Sequence, residues 1–106
     1  MTKDEATELI ERIPYIGTAN MPGSKERIEF YRKVISQRDP VMWIKVIKTG
    51  YICKNNVPQE TMRVLENNYT ERAKTLLHRE LAAALEIKEE EVEAFIKRYL
   101  HSPQHL

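Results

Sequence analysis

A single cysteine, Cys53, rules out an internal disulfide, so whatever holds this chain of 106 residues together is packing. A lone thiol also suits a reducing compartment. Three histidines, His78, His101 and His105, are too few and too scattered for a zinc pattern. Glycine occurs only three times, and no glycine-rich phosphate loop is present. No apolar run approaches the length of a membrane span, and the chain does not open on a charged segment followed by an apolar one. A cytoplasmic location without membrane contact is therefore expected. Alternating strand patterns are missing as well.

Apolar residues make up 42% of the chain and charged residues 31%, the composition of an ordinary globular domain. Net charge is only +1, but its distribution is uneven. Residues 1–20 sum to −2, residues 21–56 to +5 and residues 57–106 to −2. An anionic partner belongs with the middle third.

Helical periodicity dominates. Thr2 and Glu5 have capping-box spacing at the head of a first helix that carries Leu9, Ile10 and Ile13. Pro14 ends it, because a residue before proline is pushed out of helical geometry. Gly17 and Pro22-Gly23 mark a loop over residues 14–23, expected to be pinned by Tyr15 and Ile16. Ser24 is the expected N-cap of a second helix, Lys25 to Gln37, with Ile28, Tyr31, Val34 and Ile35 on one face. Asp39 and Pro40 begin a third, from Val41 to Ile52, apolar nearly all round and so read as central. Trp43 within it is expected in the core. Gly50 costs about 1 kcal/mol against alanine there and calls for a packing reason, such as close approach of another helix.

Asn56 and Gln59 are read as a further cap and box, with Pro58 in the first turn. The fourth helix runs to about Leu85 on a stripe of Leu65, Tyr69, Ala73, Leu76, Leu77, Leu81, Ala84 and Leu85, weakest at Asn67-Asn68, where a break or a later true start is the alternative. After a turn near Glu86–Lys88 a fifth helix sets Val92, Phe95, Ile96, Tyr99 and Leu100 at three-to-four spacing. Glu89, Glu90 and Glu91 stand at its N-terminus and Lys97 and Arg98 at its C-terminus, as the helix dipole favours. The expected fold is all-α, a compact bundle of about five helices over residues 1–100, with residues 101–106 a frayed tail.

No catalytic constellation emerges. Ser24 has no placed base to activate it, Cys53 and His78 lie on separate helices, and Glu89–Glu91 form a helix start. A non-enzymatic role without cofactor or metal is expected. Lys25, Arg27, Arg32, Lys33 and Arg38, extended by Lys45, Lys48 and Lys54, are the candidate contacts to DNA phosphates. Such contacts position a protein without reading sequence. Glu26 and Glu29, interspersed among them, allow the plainer reading of a solvated helix face.

Three segments in order, Asp39 to Thr49 (DPVMWIKVIKT), Glu80 to Leu85 (ELAAAL) and Glu89 to Phe95 (EEEVEAF), resemble the C-terminal domain of CarD/CdnL-like bacterial transcription regulators. Lys3 to Ile10 followed by Ile13-Pro14 looks like the helix that opens this domain. The similarity spans roughly residues 3–100. It implies a helical module that contacts promoter DNA at the upstream edge of the transcription bubble. RNA polymerase would be bound through an N-terminal β-rich domain, absent from this chain, which is then a fragment or a stand-alone relative. Many members place a wedge tryptophan just before the second helix. Here Gly23 and Ser24 stand near that position, with Met21 the nearest apolar residue, so the basic surface carries over and the wedge does not. Glu86 stands where the family usually has glycine. The alternative reading is a helical protein-interaction or dimerisation domain.

Overall fold

A computed structural model describes residues 1–55, 57 and 59–101. They form five α-helices and no strand, so the all-α expectation is borne out among the described residues. The helices are α1 (Lys3–Arg12), α2 (Ser24–Ile35), α3 (Pro40–Cys53), α4 (Glu60–Leu85) and α5 (Val92–Leu100). They sort into two compact units, residues 1–15 with 77–106, and residues 16–76. The long α4 supplies its first part to the second unit and its last turns to the first.

In the first of these units, α1 starts as its sequence dictates. The Glu5 amide donates to Thr2 Oγ1 at 3.1 Å and the Thr2 amide to Glu5 Oε1 at 2.8 Å, closing a capping box. Those bonds to the charged carboxylate hold Glu5 below the usual carboxylate pKa, the Thr2 backbone amide first among them. Ala6, Leu9 and Ile10 are buried, as are Leu77, Leu81, Ala82 and Leu85 of α4 and Val92 of α5. Each fully buried leucine or isoleucine contributes about 1.5–3 kcal/mol relative to exposure. Tyr99 Oη donates to Glu11 Oε1 at 2.9 Å, tying α5 to α1.

The end of α4 is a Schellman turn. Glu86 takes φ 58°, and the Ile87 amide reaches back to the Ala82 carbonyl at 3.1 Å. The three glutamates that the sequence assigns to the start of α5 form a separate 3₁₀ turn, Glu89–Glu91. Glu91 Oε1 accepts the Lys88 amide at 2.9 Å within it.

The second unit holds the loop after residue 15, α2, α3 and the first part of α4. Trp43 is buried as its sequence position requires, with Ile28, Tyr31, Val34, Ile44, Val46, Val57 and Ala73. The Tyr31 hydroxyl and the Trp43 indole N–H are buried without a hydrogen-bond partner among the described residues. Gly50 has the packing reason it called for. A Cβ built there would stand 3.0 Å from Thr70 Cβ on α4 and closer still to its Cγ2.

Several expectations need correction. Tyr15 does not pin the loop; it is 87% exposed. The loop is held by its backbone instead. Lys48 Nζ donates to the Ile16 carbonyl at 2.7 Å, and the Ala19 amide donates to Thr49 Oγ1 at 2.9 Å. Gly23, not Ser24, is the N-cap of α2, without a side-chain cap bond. The stripe of α4 is out of register at its start: Leu65 is exposed and Glu66 is buried. The helix runs unbroken through Asn67-Asn68. α3 is less central than its composition suggests, since Tyr51 and Ile52 near its end are exposed. The readings for Asn56, Pro58, His105 and the tail from residue 102 lie outside the described residues.

Candidate nucleic-acid interface

The division into units also divides the charge. Residues 16–76 carry eleven basic and six acidic side chains, a sum of +5. Residues 1–15 and 77–106 together carry six basic and ten acidic, a sum of −4. A near-neutral chain thus contains one basic unit, and all the candidate phosphate contacts fall within it.

Their placements differ. Lys25, Arg32 and Lys33 are exposed on α2. Lys25, Glu29 and Lys33 follow one another at four-residue spacing, which aligns them along the helix face opposite buried Arg27, Ile28, Tyr31 and Val34. Arg32 flanks this line. Its Nη1 lies 3.2 Å from Glu29 Oε1, with both side chains about 61–62% exposed. An ion pair so open to solvent contributes little and yields readily to a competing phosphate. Its Nε also reaches the Tyr69 hydroxyl at 3.5 Å. Arg38 is exposed in the connection between α2 and α3, and Lys45 is half-buried on α3. Lys48 is half-buried too, with its ammonium on the Ile16 carbonyl.

Arg27 is not a surface residue, and its assignment as a phosphate contact is withdrawn. It is 3% exposed and Glu66 5%. Its Nε donates to Glu66 Oε1 at 2.7 Å and its Nη2 to Oε2 at 3.2 Å. Nη2 also donates to Ser24 Oγ at 3.0 Å, and Nη1 donates to the carbonyls of Met21 and Pro22 at 2.9 and 2.8 Å. Ser24 in turn donates to Glu66 Oε2 at 2.9 Å. All five guanidinium protons are thereby placed, the condition under which a buried ion pair is tolerated. The same bonds fasten the last loop residues to α2 and α4, and so fix where the exposed face of α2 begins. Tyr31 packs beside this cluster, and burial, reinforced by the negative charge of Glu66, pushes its phenol upward.

Sequence reasoning missed a second feature, a groove of about 830 Å³ between the end of α3 and the start of α4. Tyr51, Lys54, Arg63, Val64 and Lys74 line it, and Tyr51 and Val64 are 74% and 52% exposed. The signal was present as spacing: residues 47, 50, 51 and 54 share one face of a helix. The apolar character of α3 argued instead for burial all round.

Among the described residues no group of histidine, cysteine, aspartate and glutamate is arranged to hold a metal, and no helix is long and apolar enough to cross a membrane. No family model, curated protein or solved structure matches the chain.

Proposed function

We propose that the unit formed by residues 16–76 is a DNA-contacting module, binding the phosphate backbone through the exposed cations of α2. The observation that carries this is the segregation of charge: +5 on this unit against −4 on the other. Lys25, Arg32 and Lys33 supply the contacts, with Arg38 and Lys45 as extensions. Contacts of this kind go to phosphates, so binding is salt-dependent and largely indifferent to sequence. The resemblance to CarD-like regulators fits this reading. A module of a bacterial regulator associated with RNA polymerase and the nucleoid needs only weak affinity of its own, because a polymerase-bound domain raises its effective concentration to about millimolar.

The intervening Glu29, paired with Arg32, favours a second reading, a solvated face on a helical interaction domain. One experiment separates the two. The chain is titrated with duplex and forked DNA at low salt. Three phosphate contacts give a log–log salt slope of about −2.7 on duplex. Replacing Lys25, Arg32 and Lys33 together by glutamate is expected to abolish duplex binding while circular dichroism stays unchanged. Equal binding by the variant and the parent makes the α2 face only a solvated one, and no binding by the parent favours the interaction-domain reading.

A further inference from the structure

The groove between α3 and α4 combines an open aromatic ring with unpaired cations. Tyr51 stands 74% exposed on its α3 wall, and the Lys54 ammonium lies 5.1 Å from the ring centroid. Arg63 and Lys74 lie on the α4 wall, eleven residues apart along one helix, which is about 16 Å. Among the described residues none of these three cations is in an ion pair. Two carboxylates line the groove. Glu66 is already neutralised by Arg27, and Glu71 is exposed, so three cations face one free anion.

We propose that this groove binds a short stretch of single-stranded nucleic acid, one base stacked on Tyr51 and the backbone on Lys54, Arg63 and Lys74. This rests on the reading of residues 16–76 as a nucleic-acid module and adds a second, strand-selective site to the α2 face. The chemistry selects single strands because a duplex keeps its base faces in its own stack and presents none to the ring. Stacking on an exposed aromatic beside a cationic track is sequence-tolerant, since every base has a π-face. The Lys54 ammonium lies over the Tyr51 ring, which still stands 74% exposed and so offers surface to a base. An amphipathic peptide fits less well, because among the described residues Val64 is the one aliphatic side chain on the lining that is largely exposed; Ile47 is half-buried and Val57 buried.

The test uses the intact chain and labelled twelve-nucleotide oligomers of thymidine and of uridine, read by fluorescence anisotropy. Both are expected to bind, with a salt slope of about −2 for three contacts at single-strand charge density. Tyr51→Ala should weaken them about tenfold, Tyr51→Phe should keep parental affinity, and Arg63→Glu with Lys74→Glu should remove binding. Duplex binding should survive Tyr51→Ala, while the Lys25, Arg32 and Lys33 replacement should remove it. Loss of duplex binding in that variant with single-strand binding intact therefore separates the two sites. Oligomer binding unchanged by Tyr51→Ala overturns the proposal, as does absence of oligomer binding. Oligomer displacement by an acidic amphipathic peptide, with Tyr51→Phe as damaging as Tyr51→Ala, also overturns it and makes the groove a protein site.

Discussion

Arg27 Nε donates to Glu66 Oε1 at 2.7 Å in the interior of the basic unit, 39 positions apart in sequence. Breaking a buried pair strands one charge, which costs about 3–5 kcal/mol. Arg27→Met should therefore destabilise by about that amount in chemical denaturation. Arg27→Met combined with Glu66→Leu should recover most of the loss, because apolar replacement of both partners is often neutral. A double variant as unstable as the single one would show that the backbone bonds to Met21 and Pro22 matter more than the pair.

Gly50 makes the opposite case, where the usual gain from replacing a helical glycine is reversed. Alanine in a helix is favoured by about 1 kcal/mol. Here its Cβ would press on Thr70, and overpacking of that kind costs about 1–3 kcal/mol. Gly50→Ala is expected to lower stability by up to about 2 kcal/mol, with partial recovery on adding Thr70→Ala. A rise in melting temperature for Gly50→Ala alone would mean that α3 and α4 can separate without penalty.

What the sequence disclosed follows the range of the interaction. Thr2 with Glu5 and Asp39 with Pro40 are decided within a few residues, and the structure agrees with each at the helix it governs. The stop at Pro14 holds only in part: α1 ends at Arg12, but Ile13 keeps helical angles (φ −49°, ψ −48°) and the chain passes through Pro14 in a 3₁₀ turn, Ile13–Tyr15. Trp43 was legible because an apolar helix of its length buries its largest side chain. Glu66 was not, since a glutamate at a core position makes sense only once Arg27 is known to face it. That one pairing misplaced three residues: Arg27 as surface, Ser24 as a cap, and Leu65 as core. The charge asymmetry was partly visible as a basic middle third. Its sharper form, +5 against −4, appears only when the last turns of α4 are grouped with α1 and α5.

Glu86 occupies a left-handed position, φ 58°, at the end of α4. A side chain with a Cβ loses about 1–2 kcal/mol in that region, and glycine does not. Part of the gain is offset by the greater freedom of glycine in the unfolded chain. Glu86→Gly is expected to stabilise by about 0.5–1 kcal/mol, measured by thermal or urea unfolding. Glu86→Val, stiff at Cβ, should do the reverse. Destabilisation by glycine would show that the carboxylate makes a contribution larger than the strain.

Tyr31 is expected to set the response to alkali. Burial is the main cause that raises its phenol above the ordinary value near 10, so the fold prefers the neutral form. The stability this contributes is fully present below about pH 10, where the unfolded phenol is also neutral. It is lost as pH rises through the higher folded-state value, because unfolding then releases a proton. The chain should lose cooperative stability above about pH 10, with absorbance reporting one tyrosine that ionises only as helicity is lost. Tyr31→Phe removes a buried hydroxyl that has no hydrogen-bond partner among the described residues, so stability at neutral pH should change by no more than about 1 kcal/mol. Its alkaline midpoint should move to higher pH, since one proton-releasing group is gone. A midpoint unchanged in Tyr31→Phe would assign alkaline unfolding to other groups, with Tyr99, raised by its bond to Glu11, the first to test.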